Sequence, residues 1–120
     1  MDWSQDERFA TAVRFFNSAE WYEAHDAFEA IWHEADGSER SFLQGIIQIS
    51  VAEYHLENDN HRGALLLMAE GLRHLQDSSS LRSCFDPARF DRISQIRLAA
   101  LQRGHPLAGL PLPVLVSPGT

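Results

Sequence analysis

Lysine is missing from this chain. Of 120 residues, 10 are basic and every one is arginine, which excludes Schiff-base chemistry, a phosphate-loop lysine and a lysine general base. Positive charge is scarce as well. Against 17 carboxylates the net charge is −7, so a nucleic-acid surface, which displaces counterions with clustered basic side chains, is not expected. Cysteine occurs once, at Cys84, which rules out an intrachain disulfide and a thiolate metal cage. Long apolar runs are absent too: no stretch approaches the roughly 20 residues of a membrane-spanning helix. The first residues lack the basic start and apolar core of a signal peptide. No membrane partner and a soluble, cytoplasmic protein are the expectations.

What is present is helix signal. Ser4 followed by Glu7 has the form of a capping box, with Phe9, Val13 and Phe16 behind it at helical spacing. After a break at Asn17 and Ser18, a second helix is expected over about 20–35, closed by Asp36 and Gly37, and a third over about 39–57. Asn58, Asp59 and Asn60 form a turn into a fourth helix over about 62–76, and Ser78, Ser79 and Ser80 read as a loop. Asp86 before Pro87 is a cap followed by proline at the first helical position, so a fifth helix runs from there to near Gly104. The expected fold is an all-α, compact bundle of about five helices over residues 1–106. Residues 107–120, with Pro111, Pro113 and Pro118 among Leu and Val, are expected as an extended apolar tail packed on the bundle or on a partner.

A repeat lies inside the helices. Trp21, Ala24, Phe28 and Ile31 recur 40 residues later as His61, Ala64, Met68 and Gly71, a spacing that resembles the second helix of a tetratricopeptide repeat. The reading is two αα-hairpins with alanine at the close approach, and His61 and Gly71 are weak matches. Two such units fall short of the three or so that an open solenoid needs, which favours a compact bundle.

The third helix is apolar nearly all round, through Phe42, Leu43, Ile46, Ile47, Ile49, Val51, Tyr54 and Leu56, so it is expected at the centre. Two polar stripes interrupt it. Ser50, Glu53 and Glu57 read as the solvent edge, whereas Gln44, Gln48 and His55 read as facing inward and needing partners. His25 and Glu29, an (i, i+4) pair on the second helix beside Trp32, are the expected partners, with Glu23 a doubtful addition. Among the carboxylates only Glu29 reads as turned toward the core. His61, His74 and His105 read as surface histidines, and Arg89, Arg92, Arg97 and Arg103 as a solvated face of the fifth helix.

Two stretches carry a family likeness. Residues 16–32, from Phe16-Asn17 through Tyr22-Glu23-Ala24-His25 to Glu29 and Trp32, are the first. The second is Phe42-Leu43-Gln44-Gly45-Ile46-Ile47-Gln48, continuing through Tyr54-His55 to Asn60 and Gly63-Ala64. Together they resemble the motifs of domain of unknown function 309, a family of small helical proteins, over about residues 9–76. The departures are Trp21 for tyrosine, Asp26 for glutamate, and Ala19 and Asp59 where the family pattern has glycine; Ala19 suggests a relaxed turn at that point. The resemblance implies an all-helical fold without an assigned activity, and marks Glu23, His25, Glu29, Trp32, Gln44, Gln48 and His55 as motif positions.

The leading reading is an uncharacterised small helical protein with a semi-buried His/Glu/Gln network that fixes helix register. A second is a divalent metal ion held by His25, Glu29 and His55 in a metal-binding or metal-dependent protein, although no cofactor is established by the pattern. Acid–base chemistry or small-ligand binding around Glu29 is a third. A protein-interaction scaffold of tetratricopeptide-like hairpins, associating as a homodimer or with a partner through the tail, is the fourth.

Overall fold

Caps and apolar spacing place the helices, and the computed structural model describes residues 2–76 and 80–117, the backbone alone at Ser80. Its elements are α1 (Glu7–Asn17), α2 (Trp21–Trp32), α3 (Gly37–Glu57), α4 (His61–His74), α5 (Ser80–Ser83) and α6 (Pro87–Gln102), after a 3-10 turn at Trp3–Gln5. All are helical, as expected, with α5 an extra single turn. Ser80 opens α5 instead of lying in a loop, while Ser78 and Ser79 lie outside the described residues.

The start of α1 corrects the capping box. Asp6, not Ser4, is the cap, its carboxylate accepting from the Arg8 N–H at 2.8 Å. Ser4 is drawn instead to Asp2, which caps the 3-10 turn by accepting from the Ser4 N–H. At α6 the Asp86–Pro87 pattern is realised, Asp86 accepting from the Arg89 N–H at 3.0 Å.

The same turn joins α1 to α2 and α3 to α4. The Glu20 N–H donates to Phe15 C=O at 2.9 Å, and 40 positions on the Asn60 N–H donates to His55 C=O at 2.8 Å. This six-to-one closure puts the residue before last in the left-handed region. Those residues are Ala19 and Asp59, both at φ +58°. They are the two positions where the family pattern has glycine, so the turn at Ala19 is strained rather than relaxed.

Each hairpin then buries a stripe: Phe9, Ala12 and Phe16 from α1, and Trp21, Ala24, Phe28 and Ile31 from α2. Phe16 meets Trp21 edge-on with centroids 5.1 Å apart, a favoured aromatic geometry. In α4 the repeat buries Ala64, Met68 and Gly71 and leaves His61 exposed. Gly71 departs from Ile31 for a steric reason. A Cβ on Gly71 would lie 2.9 Å from the Gly45 carbonyl oxygen, and one on Gly45 would lie 2.8 Å from the Gly71 carbonyl oxygen. Backbone meets backbone where α3 crosses α4, with no room for a side chain.

α3 is central, with α2 on one side and α4 on another. Its expected solvent edge is overturned, however. Ser50 is fully buried, its hydroxyl donating to Ile46 C=O at 2.9 Å, and Glu53 is only 2% exposed. Glu57 alone of that stripe faces solvent. The helical period shows that these residues share a side, but not that α6 and the chain beyond it cover that side.

Beyond α6 the described residues 103–117 follow the bundle without a regular element. The Asn17 side chain accepts from the Leu115 N–H at 2.7 Å and donates to Leu115 C=O at 2.9 Å. The Asp86 N–H donates to Val116 C=O at 2.9 Å, and Pro113 and Leu115 are buried. Among the described residues no helix is long and apolar enough to cross a membrane.

Candidate functional sites between α2 and α3 and at the bundle end

The seven residues expected as one cluster occupy different neighbourhoods. On α2, His25 Nε2 lies 3.0 Å from Glu29 and its Nδ1 lies 3.3 Å from Asp26. Glu29 is not turned into the core: its side chain is 44% exposed and also lies 3.7 Å from His33. Glu23 faces solvent. His55 shares a slot of about 160 Å³ with His25, but its Nδ1 is 3.4 Å from the Asn60 amide nitrogen instead of meeting Glu29.

Gln48 does face inward, yet its partner is none of these. His74 Nδ1 lies 2.7 Å from Gln48 Oε1 and 3.2 Å from Glu70 C=O, geometry suited to a donated proton. The expectation of a solvated His74 is therefore wrong, because α4 brings it against α3. Gln44 and Trp32 share an open groove with His74 and Arg40. The Arg40 guanidinium lies 4.0 Å from the centre of the Trp32 ring, a cation–π contact. Among the described residues no three His, Cys, Asp or Glu side chains converge as metal ligands, so His25, Glu29 and His55 do not form the expected triad.

Among the described residues the buried carboxylate is Glu53. Arg97 of α6 donates to it twice, Nε to Oε2 at 2.6 Å and Nη2 to Oε1 at 2.5 Å. Arg97 is 4% exposed and its remaining nitrogen donates to Pro111 C=O at 3.3 Å, so it is no part of a solvated face. A signal for it exists in the sequence. Phe90, Ile93, Ser94, Arg97, Leu98 and Leu101 are one buried stripe at helical spacing, and Arg97 interrupts it. Glu53 likewise continues the stripe of Phe42, Ile46 and Ile49.

The pair stands in the wall of a cavity of about 720 Å³ at one end of the bundle. The two left-handed non-glycine residues, Ala19 and Asp59, border it, and the 106–110 segment beyond α6 lines another side. Trp21, Leu56, Leu107 and Leu110 supply apolar wall, while Glu57, Asp59 and His61 bring polar groups. Such a mixture can hold a small amphipathic molecule by its body and orient its polar end.

A family model, described as a domain of unknown function (DUF309), matches residues 9–67. The uncharacterized protein YpuF of Bacillus subtilis (strain 168) is 37% identical over 65 residues, which cover 53% of this chain and 37% of that protein. The matched region thus spans well under half of that relative's length. From α1 into α4, residues 9–67 of this chain are a DUF309 domain.

Proposed function

We propose that this chain is a small-molecule-binding domain whose ligand occupies the cavity at the bundle end. The observation that carries the reading is the Glu53–Arg97 pair in the cavity wall. Taking two charges out of water is costly, and an apolar pair of similar volume would tie α3 to α6 at least as well. A polar group to be recognised in the cavity accounts for keeping the charges. The cavity volume falls within the range of pockets that enclose small ligands. A cytoplasmic setting fits this reading and is supported by the presence of one cysteine, Cys84, with no second to pair with in the chain.

The test is native mass spectrometry with octylamine and octanoate. A one-to-one adduct with one of them is expected, and its loss in the folded Glu53→Met/Arg97→Met variant. Absence of any adduct, or an adduct indifferent to that double substitution, would refute the proposal.

A divalent cation held by His25 and Glu29 is a second reading, supported by the 3.0 Å approach of their side chains. It requires stoichiometric metal in untagged protein, lost in His25→Ala. Protein that stays metal-free after incubation with Zn²⁺ or Mn²⁺ removes this reading.

A further inference from the structure

A second, smaller site lies between α2 and α3. The slot of about 160 Å³ is lined by Trp21, Tyr22 and His25 from α2 and by Val51, Tyr54 and His55 from α3. Five of those six side chains are aromatic rings. Their placement follows from helical spacing, since 21, 22 and 25 share a face of one helix and 51, 54 and 55 a face of its neighbour.

The rings are close enough to act together. Tyr22 and Tyr54, one from each helix, have centroids 5.7 Å apart with planes at 54°. Tyr22 stands 5.9 Å from His25, and Tyr54 stands 6.4 Å from His55. Both tyrosines are exposed, at 53% and 39%, so the core does not consume them. Large aromatic surface left in solvent at a concave site marks it as a place to bind.

The electrostatics select the ligand. Aromatic faces carry negative quadrupole charge and attract cations, most strongly when several rings surround one. No arginine lines the slot. The carboxylates of Asp26 and Glu29 lie 3.3 and 3.0 Å from the two nitrogens of His25, adding negative charge behind that ring. The protein as a whole carries −7, which draws cations and repels anions. A slot this small takes a headgroup rather than a whole drug-sized molecule.

We infer that the slot between α2 and α3 binds a quaternary ammonium group. The group comes either from a free small molecule of the choline type or from a trimethylated lysine side chain; the rings recognise the same chemistry in both. This site is separate from the end cavity and does not depend on what that cavity holds. Trp21 alone lines both.

The experiment is an NMR titration of the full chain at about pH 8. The probes are choline, a dipeptide containing trimethyllysine, and 3,3-dimethylbutan-1-ol, in which carbon replaces the charged nitrogen of choline. At least one cation is expected to shift the Tyr22 and Tyr54 ring signals saturably, and about tenfold more tightly than the neutral alcohol. The tighter of the two cations identifies the source. Tyr54→Leu, at an exposed position, should weaken binding about tenfold with the thermal midpoint unchanged. Equal binding of the neutral alcohol, absence of saturable shifts with either cation, or indifference to Tyr54→Leu would each overturn the inference.

Discussion

Arg97 grips Glu53 with two parallel N–H donors across the junction of α6 and α3, and each partner is almost wholly withdrawn from water. Removing one partner strands the other charge in the interior. Glu53→Gln or Arg97→Met should therefore cost about 3–5 kcal/mol in chemical denaturation. Replacing both by methionine should recover most of that loss, since a well-packed apolar pair removes both desolvation penalties. Single and double variants of equal stability would show that the two charges are solvated and independent.

Ala19 and Asp59 hold φ +58°, a conformation in which a side chain crowds the backbone. Ala19→Gly and Asp59→Gly should each stabilise the protein by about 0.5–1 kcal/mol, the relief of strain exceeding the added chain entropy. Thermal or urea midpoints measure this. A lower midpoint in both variants would mean that the turns are not left-handed in solution.

Asn17 binds both backbone groups of Leu115, so one side chain at the end of α1 fastens the segment that follows α6. Asn17→Ala should cost about 1–3 kcal/mol by leaving partly buried N–H and C=O groups unpaired. The same variant should speed amide exchange at Leu115 and Val116 before the helices open. Exchange in that segment equal to the parent's would argue against the clamp.

Arg8 donates side-chain hydrogen bonds to Asp6 and to Glu34, and these bonds are the main reason both carboxyls titrate below their ordinary values. A carboxyl depressed in the folded state favours folding above its unfolded pKa and loses that contribution as pH falls through the folded one. The stability gap between the parent and Arg8→Ala should thus narrow on acidification below about pH 4. Arg8 and Glu34 are exposed, so about 1 M salt should also narrow it at neutral pH. A gap that widens in acid would contradict this linkage.

Much of the helix layout could be read from residues alone. Asp86–Pro87, the turn at Asn58–Asn60 and the apolar encirclement of α3 are local features, set by backbone groups that need a cap and by a period of about 3.6 residues. The 40-residue spacing is also visible in the sequence, as a pattern of helix residues, and in the structure two left-handed turns stand 40 positions apart. What the turn demands of Ala19 became visible only in its dihedral angle.

The polar interior is less legible in the sequence. The period turns Gln48 inward, as observed, but its partner is His74, 26 positions away, rather than His25 or His55. Glu29 reads as the inward carboxylate because a histidine stands one turn before it, yet that pair sits half in solvent. Glu53, assigned to water, is buried because Arg97 arrives from 44 positions along the chain. Sequence alone determined the approximate extents of the five long helices and which residues share a side, because those depend on bonds within a few residues. Only the tertiary structure decided which polar side is covered and by what, because burial depends on the element that packs there, and no local period records it.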